Sequence, residues 1–190
     1  MNKAIFFDKD GVINADKGIR GTSENIEFIQ GIDELIAYFR DKGFKIFVVT
    51  NQPIVARGIL KEKELQKALI DFEKALLQRN PLSKIDKIYY CPHHPNADVP
   101  EYRISCICRK PKPGMFHKAI KEFDLDCAKC YAIGDRMSDI IAGHLAGCTT
   151  IHFLSGKHEE KMIETDLKNI EDIKPDYVIS NLEELRNIVK

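Results

Sequence analysis

The chain has no tryptophan, no excess of either charge and no long apolar run, and each absence removes a class of function. Lysine plus arginine and aspartate plus glutamate number 29 each. The molecule as a whole therefore presents no field for a polyanion, and nucleic acid is not an expected partner. No apolar stretch approaches the roughly 20 residues that a membrane span needs, so no membrane partner is expected. The N-terminus enters a strand almost at once and shows no signal-peptide pattern. Internal repeats, low-complexity tracts and linkers are also absent, and the expectation is a single domain over residues 1–190 that acts as a monomer. Six cysteines raise the possibility of disulfides, but three of them crowd into one loop beside histidines. That arrangement fits metal binding in a reducing cytoplasm better than a secreted disulfide framework.

What is present is alternation. Short apolar runs at 4–7, 46–49, 85–90, 131–133, 149–153 and 177–179 read as buried strands. Between them lie stripes at helical spacing: Leu35, Ile36 and Phe39; Leu65, Leu69, Phe72 and Leu76; Phe116, Ile120 and Phe123. A further helix spans the run from Ser138 and is ended by Gly147, and Asn181 has the chemistry of an N-cap for a last one. This pattern predicts an α/β fold, a Rossmann-like, mostly parallel sheet with helices on both faces. His144 lies on a predicted helical stripe and reads as a satisfied structural histidine. Cys127, Cys130 and Cys148 read as packing residues.

Three predicted strands end in polar residues: "AIFF" in Asp8, "IFVV" in Thr50 and Asn51, "YAI" in Gly134 and Asp135. Ligands of open parallel sheets bind outside the carboxyl ends of the strands, so these residues should meet in one crevice. Asp8 and Asp10 are two apart and, in extended chain, face the same way. One carboxylate can attack phosphorus, while the other protonates the leaving oxygen and later deprotonates water. Two carboxylates and a phosphate ester repel unless a divalent cation lies between them. Asp135 supplies a further oxygen ligand for magnesium. Thr50 and a lysine would hold the phosphoryl oxygens.

In order, "FFDKDGVIN", "VVTNQ", "RKPKPG" and "IGDRMSD" resemble the four motifs of the haloacid dehalogenase-like (HAD) phosphatases. The resemblance implies Asp8 as nucleophile, Asp10 as general acid/base, and Thr50 and Lys110 as phosphoryl stabilisers. It also implies Asp8, the Asp10 carbonyl and Asp135 as Mg2+ ligands, with Asp139 behind them. About 30 residues separate Asn14 from the next strand, which leaves room for only a minimal cap.

The loop 91–108 carries Cys91-x-His93 and Cys106-x-Cys108, two ligand pairs suited to tetrahedral Zn2+ with no position left for a catalytic water. His94 competes with His93; the C-x-H spacing and the family pattern favour His93. Arg109 and Lys110 follow Cys108 directly, so a zinc-clamped loop would brace the cations that meet the substrate. "YYCPHHP" and "CICRKPKPGM" closely resemble the heptose 1,7-bisphosphate 7-phosphatases of bacterial heptose activation. Substrate contacts implied by that resemblance are Asp16, Lys17, Gly18, Ile19, Asn51, Gln52, Pro53, Arg57, Arg109 and Arg136, with a small phosphorylated sugar as the partner. The chain departs from the pattern at Pro53-Ile54, where those enzymes usually have Ser-Gly, and at Arg136, where they usually have lysine. The second departure leans toward the related histidinol-phosphate phosphatases, the alternative activity. A non-enzymatic zinc-bearing binding module would leave Asp8, Asp10 and Asp135 unexplained.

Overall fold

The computed structural model describes residues 1–15, 26–155, 167, 170 and 172–190. Among these, six strands form one sheet: β1 (Asn2–Phe7), β2 (Lys45–Asn51), β3 (Lys87–Cys91), β4 (Leu125–Gly134), β5 (Thr149–Phe153) and β6 (Tyr177–Ile179), in the order β3-β2-β1-β4-β5-β6. Every pairing is parallel. The carboxyl ends of all six strands therefore lie along one edge.

The helices are α1 (Ile32–Asp41), α2 (Glu62–Arg79), α3 (Gly114–Phe123), α4 (Met137–Leu145) and α5 (Leu185–Ile188). Alternate strand residues divide between the two faces, as the period-two pleat requires. Ile5, Phe7, Ile46, Val48, Ile133 and Ile151 pack against Leu35, Ile36 and Phe39 of α1, Phe72 and Leu76 of α2, and Leu185 of α5. Ala4, Phe6, Phe47, Val49 and Ala132 pack on the opposite face against Met115, Phe116 and Ala119 of α3 and Ala142 of α4. Phe6 anchors this second layer, its ring centroid 4.9 Å from Phe116 and 5.3 Å from Phe47. Truncating such a fully buried phenylalanine to alanine costs about 3–5 kcal/mol.

Some expectations are corrected. Strand β4 begins at Leu125 rather than Tyr131, and β3 starts at Lys87 rather than Ile85. Between Asn2 and Ala4 the partner on β4 jumps from Leu125 to Cys130, so an irregularity takes up the extra residues. His144 is exposed on the outer face of α4 instead of packing inward. Cys130 and Cys148 are buried in the core, with the Cys130 thiol donating to the Asp126 carbonyl at 3.2 Å.

Candidate active site

Asp8 follows β1 directly, and its amide continues the ladder by donating to the Ile133 carbonyl at 2.9 Å. Thr50 lies at the end of β2, Asp135 follows β4, and Asp139 sits in the first turn of α4. Lys110 reaches these groups from the segment before α3. All five are buried, with 1–7 % of their surface exposed. Asp8, Asp135 and Asp139 place one carboxylate oxygen each within 4.8 Å of one another.

The Lys110 ammonium is the hub. It donates to Asp8 Oδ1 at 2.7 Å and to the Val49 carbonyl at 2.7 Å, and it pairs with Asp139 Oδ1. Its backbone is fixed by Asn51, whose Nδ2 donates to the Lys110 carbonyl at 3.1 Å and whose Oδ1 accepts from the Lys110 amide at 3.0 Å. Both ends of the Asn51 amide are thus engaged by the Lys110 backbone, so the residue braces the lysine. Asp139 has a second task, since its Oδ2 accepts from the Arg136 amide at 3.1 Å and caps α4. Two glycines permit this density. A Cβ on Gly11, whose φ is +95°, would lie 2.1 Å from Asp135 Oδ2, and one on Gly134 would lie 2.1 Å from Asp139 Cβ.

Electrostatics follow from this burial. Loss of solvation lifts Asp8 to about 7, with Lys110 pulling the other way and Asp139 adding to the rise. Asp135 is raised to about 6 by burial, then by Asp139. Burial disfavours the Lys110 charge, but Asp139 and Asp8 outweigh it and raise the ammonium to about 12. Asp10 behaves differently: burial opposes its charge, yet Lys9, Asn14 and Gln52 together lower it below the ordinary carboxylate value. Lys9 Nζ and Asn14 Nδ2 donate to its Oδ1 at 2.6 and 2.9 Å, and Gln52 Nε2 donates to its Oδ2 at 2.9 Å. Gln52 also donates to Thr50 Oγ1 at 3.0 Å, tying the hydroxyl to the acid/base candidate. Gln52 is therefore a brace for two expected catalytic side chains. Lys9 and Asn14 were not singled out from the sequence, although both lie within the first motif.

Ionised together, the three buried carboxylates would exceed the one ammonium among them by two charges, and among the described residues Asp135 Oδ1 is buried without a hydrogen-bond partner. An oxygen-rich, doubly negative cluster with an orphaned acceptor fits a divalent hard cation such as magnesium.

The second cluster lies past β3. Cys91 Sγ is 3.5 Å from Cys106 Sγ and 3.2 Å from Cys108 Sγ, and Cys106 and Cys108 are 3.2 Å apart. His93 Nδ1 lies 3.7 Å from Cys91 Sγ and 3.5 Å from Cys108 Sγ. A tetrahedral zinc with Zn–S near 2.3 Å and Zn–N near 2.0 Å implies S···S edges of about 3.8 Å and S···N edges of about 3.5 Å, so the four donors fit that ion. The Cys91 thiol beside it holds Cys108 down to about 5, toward the thiolate a metal takes. His94 is turned from this set, its Nδ1 accepting from the Asn96 amide at 3.1 Å.

The loop is tied to its surroundings at several points. The Asp98 and Val99 amides donate to the Ala56 carbonyl at 2.9 and 3.0 Å, which fixes the turn after β2 that bears Arg57. The Tyr90 and Tyr102 hydroxyls both donate to the Glu62 carboxylate, at 3.0 Å each. Arg109 Nη1 donates to the His93 carbonyl at 3.0 Å. Burial lowers the His94 pKa, helped by the Arg109 and Arg57 charges. Arg136 is the N-cap residue of α4, and Pro53 opens the turn after β2, its carbonyl accepting from the Arg57 amide at 2.9 Å. Asp16, Lys17, Gly18 and Ile19 lie outside the described residues.

A parallel sheet whose strand ends gather carboxylates around a buried lysine defines a HAD-type hydrolase. In agreement, a family model described as HAD-hydrolase-like matches residues 107–185. Curated relatives extend the match to most of the chain. The D-glycero-beta-D-manno-heptose-1,7-bisphosphate 7-phosphatase of Haemophilus ducreyi is 36% identical over 178 residues, covering 91% of this chain and 97% of its own. The D-glycero-alpha-D-manno-heptose-1,7-bisphosphate 7-phosphatase of Campylobacter jejuni is 40% identical over 171 residues, covering 90% and 93%. Among solved structures, D,D-heptose 1,7-bisphosphate phosphatase from B. bronchiseptica, complexed with magnesium and phosphate, is 30% identical with a TM-score of 0.67, covering 80% of each chain. A putative HAD-like phosphatase from Mesorhizobium loti is 25% identical with a TM-score of 0.80, covering 99% of this chain and 84% of its own. The chain belongs to the heptose-1,7-bisphosphate 7-phosphatase family of phosphoric monoester hydrolases.

Proposed function

We propose that this chain removes the 7-phosphate of D-glycero-D-manno-heptose 1,7-bisphosphate in a magnesium-dependent reaction. The observation that carries the reading is the buried Asp8–Lys110–Asp139 network beside the unpartnered Asp135 Oδ1, in a chain so similar to heptose enzymes. Asp8 attacks phosphorus, a P–O bond forms to its carboxylate, and the bond to the sugar oxygen breaks. Asp10 gives that oxygen its proton. In the second half Asp10 takes a proton from water as the water attacks the aspartyl-phosphate, returning Asp8 and releasing phosphate. Lys9, Asn14 and Gln52 hold Asp10 as a carboxylate before substrate arrives, which is the form the second half requires. A dianionic phosphoryl group nearby raises its proton affinity for the first half. Thr50 Oγ and Lys110 Nζ stabilise the phosphoryl oxygens. Asp8, Asp135 and the Asp10 carbonyl would hold magnesium, which supplies charge neutralisation between the carboxylates and the phosphate.

Cys91, His93, Cys106 and Cys108 hold a structural zinc in this reading, and Arg109 meets the second phosphate. A guanidinium suits a distal dianion because it can bind two oxygens at once. The protein acts as a single-domain cytoplasmic monomer on a small phosphorylated sugar, and its product feeds nucleotide-heptose and lipopolysaccharide precursor synthesis. Among the described residues no helix is long and apolar enough to cross a membrane.

The test is phosphate release from both anomers of the heptose bisphosphate, from histidinol phosphate and from simple sugar monophosphates, with and without magnesium. One charge-assisted contact to the second phosphate is worth about 1.5–3 kcal/mol, so the bisphosphate should lead by roughly ten- to a hundred-fold in kcat/KM. Arg109→Ala should erase most of that lead. A larger kcat/KM on histidinol phosphate would transfer the assignment to that substrate.

A further inference from the structure

Asp135 is 3 % exposed, and its two carboxylate oxygens differ sharply in their surroundings. Oδ2 accepts from Ser155 Oγ at 3.1 Å, whereas Oδ1 is buried with no hydrogen-bond partner among the described residues. A carboxylate can only accept, so the Ser155 hydroxyl is the donor. The main chain of the same residue is held as well: His152 Nε2 lies 3.1 Å from the Asp135 carbonyl. A carbonyl also only accepts, which assigns the proton to Nε2.

The parallel register explains how β5 reaches across. Gly134 pairs with His152, so the residue after the strand end comes within range of the imidazole, and Ser155 follows two residues beyond β5. On another side the carboxylate abuts the Gly11 backbone, where an added Cβ would meet Oδ2 at 2.1 Å and Oδ1 at 3.1 Å. The carboxylate plane is therefore fixed by Gly11 and Ser155 and the backbone beneath it by His152. One oxygen is left unpartnered.

We propose that Ser155 and His152 are positioning residues for the catalytic cation: they hold Asp135 so that Oδ1 is presented to the metal before it binds. The inference rests on the magnesium reading of this cluster. It does not depend on which sugar phosphate is hydrolysed. Neither residue belongs to the sequence motifs, and both act through Asp135 without touching the reacting atoms. Fixing the first ligand in advance removes a reorganisation cost from metal binding, and groups that orient metal ligands typically contribute ten- to a hundred-fold in affinity.

The experiment uses the substrate-free full chain and manganese as a spectroscopic substitute for magnesium, with free Mn2+ followed by its EPR signal. Ser155→Ala should raise the Mn2+ dissociation constant about tenfold. Ser155→Thr, which keeps the hydroxyl, should restore it to within about twofold of the parent. The melting temperature without Mn2+ should be unchanged in both variants. In turnover the magnesium requirement of Ser155→Ala should shift upward by the same factor while kcat at saturating magnesium recovers. An unchanged dissociation constant in Ser155→Ala, with normal Mn2+ binding by the parent, overturns the proposal alone. A parent that binds no Mn2+ overturns the metal reading with it.

Discussion

Lys110→Met is the most revealing single change. The parent side chain is 2 % exposed and lies 2.7 Å from Asp8 Oδ1, with Asp139 on its other side. Methionine fills similar volume but leaves two buried carboxylates facing each other without their cation. Removing one partner of a buried ion pair typically costs about 3–5 kcal/mol. For a chain of this length that lowers Tm by on the order of 10 °C. The pH dependence gives the prediction its edge. Lys110 titrates near 12 in the fold, above its ordinary value, so its stabilisation is complete at every pH below about 10. Asp8 is raised to about 7, so above pH 4 its ionisation already opposes folding, and loss of Lys110 drives its proton affinity higher still. At pH 5 Asp8 is protonated with or without the lysine, but Asp139 has still lost its buried cation, so most of the deficit of the variant should already be present. Above pH 7 the parent ionises Asp8 against Lys110 and the variant cannot, so by pH 8 the deficit should have grown by up to about 1.4 kcal/mol. Urea unfolding at pH 5 and pH 8 in magnesium-free buffer measures both. An equal deficit at the two pH values, or none at pH 8, refutes the reasoning.

Asp8→Asn should abolish turnover with the fold intact, whereas Asp10→Asn should still bind substrate and accumulate aspartyl-phosphate detectable by mass spectrometry; near-normal turnover by Asp8→Asn would contradict the assigned nucleophile. Elemental analysis should find about one zinc per chain, and Cys106→Ala should lose it and melt earlier, because structural zinc contributes folding free energy. Protons compete with the divalent cation at Asp8, near 7, and at Asp135, near 6, so Mn2+ affinity should fall about a hundredfold between pH 7.5 and 5.5; a flat profile would exclude these two as ligands.

Much of this arrangement could be read from residues alone because strand ends and period-two burial are local properties. Asp8, Thr50 and Asp135 each follow an uninterrupted apolar run, and parallel pairing brings such endings to one edge. The clustering of Cys91, His93, Cys106 and Cys108 was legible for a related reason, since paired donors two apart constrain geometry within a few residues. The start of β4 was not, because Asp126, Cys127 and Lys129 interrupt the apolar pattern, and the register shift against β1 that accommodates them is a property of the pairing. The bracing role of Asn51 was not legible, because an amide donates and accepts equally well toward protein or ligand. It appears only once Lys110 approaches from 59 residues away. Ser155 and His152 sit in no motif at all. Their relation to Asp135 exists only once β5 lies beside β4.

The strand order also bears on how the molecule is made. Strands β1 and β2 leave the ribosome first, yet both of their outer edges are covered by later arrivals, β3 on one side and β4 on the other. A nascent chain ending near residue 84 would hold Asp8 on a two-stranded ribbon with both edges bare, the kind of template that invites pairing with other chains. About fifty residues separate that point from Asp135, roughly 3–10 s of translation at about 5–20 residues per second. Through that interval Asp8 has neither the ammonium nor the low-dielectric walls that set its proton affinity. The early half of the chain depends on protection until the late half closes over both sides of it.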